Sequence, residues 1–528
     1  MSTSGWVSDL NYVSDDASYM EAILAGPLLS LFFTCSLSTL AFSILIRPFV
    51  TRHGHTSWTR KQEEDRSKLN TTFVTLFVLY LSYLAGSGRS GLQQIIKGTD
   101  PKLNQLLDIT PILRAGPSPP FWLSNRHIQF IPWMLQNELH RVGLLGGSLN
   151  MEYYNFTVKD CIKKTRGEDK ILNCEYDDSM DQVVNVGAFP PFEDDSLPRD
   201  APIIFVAPGL RCHSEDMPGQ TVMRAAYGAG YRTVVFNRRG HHPDPQGPLL
   251  TSPRFNLFGD VDDMEQAYWH VKEKLAPPGT PMFLHGISSG CAVVVRALSL
   301  WDKRRELNPA AKTPGFVAAV AVTPGYDTSK VLLPSRFRWP YNALMNDAVK
   351  DHFVGLNAHV LGGYNSTAME DALAAPDLQL FLNAAAPFAG YDDRHAYFDD
   401  TNPVKDLHDI NTPIYVLNSV DDPCCNIDNL FETSPYEAHG GDTYADIVRR
   451  SQRGLVAITN GGSHCPFLDG GMRNMLARDP LGGWMLNSWA DSSIVEWYGA
   501  ALKVYGEERA RMGREHEVEN ALDEAGDS

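Results

Sequence analysis

The chain has 528 residues, 43% of them hydrophobic and 21% charged, with a formal net charge of −17. That length admits two to four domains, or one large domain with additions, and the apolar content is enough for a real core. The acidity excludes a basic phosphate-binding face, so nucleic acid is not an expected partner.

Eight cysteines in this length do not make a disulfide scaffold, and none has the paired C-x-x-C spacing of a zinc site. Cys161 and Cys174 can form a local bridge in an oxidising compartment. The others are expected to be small packing residues, and no metal or organic cofactor is implied.

Residues 1–21 form an acidic segment with no Lys or Arg. Residues 22–46 carry no charge and are long enough to cross a hydrocarbon core of about 30 Å. The acidic segment before them and the lack of a cleavage site argue against a secretory signal, so the run is expected to be a transmembrane anchor. A basic stretch, 47–68, follows with Arg47, Arg52, Arg60, Lys61, Arg66 and Lys68. A second uncharged run, 69–88, can span, lie in the interface or pack on the soluble part. The positive-inside rule puts 47–68 in the cytosol. The rest of the chain is then lumenal if both runs span and cytosolic if only the first does. Sequons at Asn155 and Asn365 favour the lumenal arrangement. The membrane is expected to be the endoplasmic reticulum rather than the plasma membrane.

Residues 89–200 read as lead-in segments with Pro-rich punctuation that pack on the next domain. Within 201–500, short apolar runs alternate with helical stretches. The runs are Pro202–Ala207, Thr233–Phe236, Met282–Leu284, Phe316–Val322, Pro413–Leu417 and Leu455–Ile458. Residues 258–275 read as a helix with an acidic first turn. Such alternation implies a mostly parallel sheet covered on both faces, with functional loops at the carboxyl ends of its strands. The interval 325–400 interrupts the pattern and is expected to be a cap inserted over the site. Residues 501–528 read as a charged tail.

The third run leads into Gly286-Ile287-Ser288-Ser289-Gly290, with a helix-forming stretch after it. Strand, sharp turn and helix is the setting of a nucleophile elbow, and glycines at 286 and 290 remove the collisions that so tight a turn produces. A serine hydroxyl needs a base to take its proton and an acid to orient that base. Asp421 and Asp422 follow the fifth run and His464 follows the sixth. The expected roles are Ser288 as nucleophile, His464 as base and then acid, and Asp422 as orienter, with Asp421 its rival. The two oxyanion-hole donors are expected to be the backbone N–H groups of Ser289 and Leu210, the latter in the loop Pro208-Gly209-Leu210-Arg211. Arg211 and His213 are further candidates to line the pocket.

Here the chain resembles the α/β-hydrolase-domain lipases and esterases, in particular a membrane-anchored branch that includes embryogenesis-associated plant proteins. The matching stretches are Trp122–Gln129, Gly230–Gly240, Leu250–Arg254, the elbow, Val420-Asp421-Asp422-Pro423 and Gly461–Leu468. The resemblance covers roughly 120–475. It implies the α/β-hydrolase fold and hydrolysis of carboxylic esters of lipids, such as monoacylglycerols or phospholipids, with some members transferring acyl groups to alcohols. Two departures stand out: Pro208-Gly209 replaces the usual His-Gly, and Ser289 replaces an aliphatic residue. A His-x4-Asp pattern, His395 to Asp400, is read elsewhere as an acyltransferase signature and is expected to be structural here. The alternatives are an acyltransferase and a ligand-binding protein on a hydrolase fold. Acyl chain, head group and oligomeric state stay open.

Overall fold

Strands β6 to β11 are buried along their whole length, each around a short run of apolar side chains, with the polar Arg232, Asn237, His285 and Asn418 buried among them. These are Ile203–Ala207 (β6), Arg232–Asn237 (β7), Met282–Ile287 (β8), Ala319–Val322 (β9), Ile414–Ser419 (β10) and Gly454–Thr459 (β11). They come from a computed structural model that describes residues 90–526 apart from 120–124, 167–171, 177, 242–249, 338–339 and 471–475. The acidic segment, both uncharged runs and the basic stretch lie outside the described residues. Among the described residues no helix is long and apolar enough to cross a membrane.

The main sheet has nine strands in the order β1-β11-β10-β9-β8-β6-β7-β5-β2, where β1 is Leu92–Lys97, β2 Glu152–Val158 and β5 Gln182–Phe189. The six from β7 to β11 run parallel, and β1, β5 and β2 are antiparallel at the two edges. This is the mostly parallel sheet of the α/β-hydrolase fold. The stretch 89–200 therefore contributes three strands to the sheet as well as packing on it. Two hairpins stand apart: Cys161–Arg166 (β3) with Leu172–Tyr176 (β4), and Leu476–Arg478 (β12) with Trp484–Leu486 (β13). In the first, Cys161 is opposite Tyr176 and Cys174 opposite Lys164, so the two cysteines are not register partners.

Each sheet face carries its own apolar layer. Helices Val261–His270, Gly290–Leu307 and Tyr444–Arg450 press Met264, Leu298, Trp301 and Ile447 onto one face. Helices Met217–Gly228 and Trp489–Gly526 press Met223, Trp497, Tyr498 and Tyr505 onto the other. Each fully buried Leu or Val here stabilises the fold by about 1.5–3 kcal/mol of transfer free energy. The last helix runs unbroken across residue 500, and Tyr505 is buried while Glu508 pairs with Lys102 and Arg453. The boundary expected at 500 thus falls inside a packed helix. Between β9 and β10, helices spanning 328–401 form a separate apolar cluster that includes Leu210 and Ala292, both adjacent to the elbow. The sequon Asn155 is exposed on β2, whereas Asn365 is half-buried and accepts a hydrogen bond from the Ala368 N–H.

Candidate active site

The turn after β8 puts Ser288 at φ +52°, in the left-handed region that a non-glycine residue rarely occupies. Its N–H donates to the Val322 carbonyl at 2.9 Å, which ties the turn to the end of β9. The flanking glycines are required by contact distance. A Cβ on Gly290 would lie 2.2 Å from the Ala207 carbonyl oxygen, and one on Gly286 would lie 2.8 Å from the Cys291 Cα. Only glycine lets the helix Gly290–Leu307 start against the end of β6.

Three loops at the carboxyl ends of β8, β10 and β11 bring Ser288, Asp422 and His464 together. The Ser288 Oγ is 2.9 Å from His464 Nε2, and His464 Nδ1 is 2.8 and 3.0 Å from the two Asp422 carboxylate oxygens. Asp422 is held in turn by the N–H groups of Cys424 and Cys425, which donate to its Oδ1 at 2.7 and 2.9 Å. Asp422 and His464 are buried and Ser288 is half-buried. Burial pulls the His464 imidazole down, but the Asp422 carboxylate outweighs it and holds the ring well above the ordinary histidine range. A base raised in this way is poised to take a proton from a neighbouring hydroxyl.

Asp421 does something different. It accepts from the Ser419 hydroxyl and from the N–H groups of Gly462 and Ser463 at 3.0 and 2.9 Å. Burial pushes its carboxyl up. It fixes the start of the loop that presents His464, where Ser463, Cys465 and Phe467 all have positive φ. Gln129 fixes the other end, its Oε1 accepting from the Leu468 N–H at 3.1 Å.

Gly209 lies against the elbow: a Cβ there would come within 3.3 Å of the Ser288 Cβ. The backbone N–H groups of Leu210 and Ser289 donate to no protein acceptor among the described residues, which leaves both available beside Ser288. The Ser289 hydroxyl is buried without a partner. Behind the loop stands Arg238, fully buried, whose guanidinium donates to the carbonyls of Pro208 and Gly209 at 3.0 and 3.1 Å and to that of Leu257 at 3.2 Å. Burial lowers its pKa to about 10. Motif reading missed this clamp, although Arg238 stands inside the matching stretch Gly230–Gly240. Its neighbour Arg239 forms a buried two-pronged pair with Asp263 at 2.6 and 3.0 Å.

Of the other candidates, Arg211 is exposed beside Leu210 with φ +61°, and His213 lies 3.4 Å from Asp216. His395 and Asp400 are not brought together. They are five residues apart on the helix Arg394–Thr401, about 140° around its axis, and Asp400 pairs with Arg296 and Tyr391 instead. Cys212, Cys291, Cys424, Cys425 and Cys465 are free thiols around the site. Asp422, Cys425 and His464 have ligand atoms within 4.8 Å of one another. Both His464 nitrogens are already engaged, however, and burial keeps the Cys425 thiol protonated, so this donor set does not fit zinc.

The sequence profile of the alpha/beta hydrolase family matches residues 203–472, from β6 to just beyond His464. A monoacylglycerol lipase of Danio rerio is 26% identical over 318 residues, covering 58% of this chain and 66% of that protein. A phospholipase of Mus musculus is 25% identical over 277 residues, covering 51% and 59%. The chain thus spans just under two thirds of the length of these relatives. An esterase of Pyrococcus furiosus of known structure aligns with 67% of this chain at 12% identity and a TM-score of 0.33. At that score the fold assignment rests on the strand order and the profile match.

Proposed function

Because the chain belongs to the alpha/beta hydrolase family, we propose that it is a membrane-anchored serine hydrolase that cleaves carboxylic esters of lipids. The observation that carries this reading is the unbroken series Ser288–His464–Asp422, with hydrogen bonds of 2.9 and 2.8 Å. In the proposed reaction Ser288 Oγ attacks the ester carbonyl as His464 Nε2 takes its proton. The N–H groups of Leu210 and Ser289 meet the charge that develops on the carbonyl oxygen. His464 returns the proton to the leaving alcohol, then takes one from the water that attacks the acyl-enzyme, and gives it to Ser288 Oγ as the acyl–oxygen bond breaks and the acid is freed. Asp422 keeps the imidazole in the tautomer that presents Nε2.

The lipid character of the substrate is supported by the relatives named as a monoacylglycerol lipase and a phospholipase, and by the apolar cluster of the 328–401 insertion beside Leu210. In this reading the insertion is the cap that sets acyl selectivity. The uncharged run 22–46 is the anchor, and the endoplasmic reticulum is the proposed membrane. Acyl transfer to an alcohol would use the same acyl-enzyme, but His395 and Asp400 would have no joint part in it. The test is product analysis on a panel of monoacylglycerols, phospholipids and medium-chain esters, with and without added alcohol. Free fatty acid as the main product in both conditions is expected. Accumulation of a new ester at the expense of free acid would instead make the protein an acyltransferase.

A further inference from the structure

The helix Arg126–Arg141 starts against the catalytic loops. The side chain of its N-cap, Asn125, accepts from the His127 N–H at 3.0 Å and fixes the first turn. From that turn the Arg126 guanidinium reaches the Asp421 carbonyl at 3.5 Å, and Gln129 holds the Leu468 N–H. His127 and Phe130, three residues apart, share the side of the helix that meets Tyr341 of the 328–401 insertion. The His127 and Tyr341 rings stack with centres 5.7 Å apart at 14°, and Phe130 meets Tyr341 edge-on at 6.0 Å. His127 Nδ1 lies 2.8 Å from the Tyr341 hydroxyl. All three side chains are half-buried.

Two apolar clusters place this trio beside the acid–base pair. Phe130 and Cys465 pack against the cluster of Trp133, Met217 and Leu468. Tyr341 and Cys424 pack against the cluster of the insertion. Cys465 follows His464 in the chain, and the Cys424 N–H donates to Asp422. The trio thus reaches from the His464 side of the site to the Asp422 side. Burial above all, and the nearby Cys424 and Asp422, push the pKa of the Tyr341 hydroxyl up against the pull of Arg126.

We infer that Tyr341, held in place by His127, recognises the leaving alcohol of the substrate, and that the alcohol it selects carries a further hydroxyl, as a glycerol residue does. The inference rests on the hydrolase reading above and adds which residues read the alcohol. Reaction geometry puts the alcohol there. In the tetrahedral intermediate the oxyanion faces the N–H groups of Leu210 and Ser289, while the leaving oxygen must come within hydrogen-bond reach of His464 Nε2 to receive its proton. The rest of the alcohol therefore extends past His464, toward Phe130 and Tyr341. In that wall Phe130 and Cys465 offer apolar contact, and the Tyr341 hydroxyl is a polar group that can meet a second hydroxyl. Its one hydrogen bond among the described residues is to His127. Whichever of the two holds the shared proton, the phenol oxygen keeps a second capacity, as donor or as acceptor. A site that hydrogen-bonds a substrate hydroxyl disfavours the analogue that lacks it.

The test uses the full chain in detergent and two esters of one acid, monodecanoylglycerol and propyl decanoate, whose alcohols share a three-carbon skeleton and differ only in hydroxyls. Tyr341→Phe keeps the ring and its stacking and removes the hydroxyl. It should lower kcat/KM for the glycerol ester about tenfold and change that for the propyl ester by less than about twofold. His127→Phe keeps a stacked ring but releases the Tyr341 hydroxyl, and should lower kcat/KM for the glycerol ester about threefold. The double variant should be no worse than Tyr341→Phe alone, because His127 acts through that hydroxyl. Urea denaturation of each variant beside wild type confirms that it is folded. Equal losses on both esters would overturn the inference and make the pair a prop for the insertion. Unchanged kcat/KM on both, or a wild type that cleaves the propyl ester and spares the glycerol ester, would overturn it and leave the hydrolase reading standing. A folded wild type inert on both esters would overturn the hydrolase reading and this inference with it.

Discussion

Asp421 and Asp422 are adjacent in the chain yet hold different parts of one loop: Asp422 bonds the His464 ring and Asp421 bonds the backbone of Gly462 and Ser463 just before it. The two substitutions should therefore behave differently. Asp422→Asn leaves the fold intact but frees the wrong tautomer, and kcat should drop by about 10⁴-fold. Asp421→Ala removes an acceptor from two N–H groups; it should cost about 2–3 kcal/mol of stability and reduce kcat by roughly tenfold through loop disorder. Denaturant titration beside steady-state kinetics separates the two. Equal losses of kcat in both variants would contradict the assignment of Asp422.

The pH profile follows from the same pair. His464 must be neutral to accept a proton, so kcat/KM should rise with pH through its pKa. Asp422 holds that pKa well above 6.5, which places the acid limb above pH 6.5. In Asp422→Asn the limb should move to lower pH. The pair also contributes to stability. That contribution is full below the unfolded histidine pKa of about 6.5 and is lost as pH rises through the folded value. Thermal unfolding at pH 6 and pH 9, in wild type and in Asp422→Asn, measures it.

Arg238 holds the Pro208–Gly209 carbonyls without reaching the substrate. Arg238→Met should let that loop relax and weaken one oxyanion donor, lowering kcat by about 10–100-fold with KM little changed. A change confined to KM would show that the loop serves binding instead.

Arg239 and Asp263 are a different case, since both are buried and paired. Arg239→Ala leaves an uncompensated carboxylate and should cost about 3–5 kcal/mol, whereas the double change Arg239→Met with Asp263→Leu should recover much of it. Urea denaturation of the three proteins is the measurement.

The central strands are legible in the sequence because burial on both faces demands an unbroken apolar run, as in β6 and β10. The edge strands are not. β1 reads Leu-Gln-Gln-Ile-Ile-Lys and β2 Glu-Tyr-Tyr-Asn-Phe-Thr-Val, whose half-exposed polar positions look like loop until a neighbour pairs with them. Ser288, Asp422 and His464 can be read together because each stands just after such an apolar run and chain order limits the choice. The division of labour between Asp421 and Asp422 depends on which way two adjacent carboxylates point, and no pattern of residue types encodes that. The same holds for Arg238, whose partners are carbonyl oxygens. The helix across residue 500 looks like a charged tail because Glu507, Glu508 and Arg509 dominate the composition there, while Tyr505 just before them is fully buried.

The most direct test of the proposed chemistry is labelling of membranes with a fluorophosphonate probe, comparing wild type with Ser288→Ala. A serine activated by His464 at 2.9 Å should be labelled in wild type and unlabelled in the variant. Labelling that persists in Ser288→Ala, or none in a folded wild type, would contradict the account.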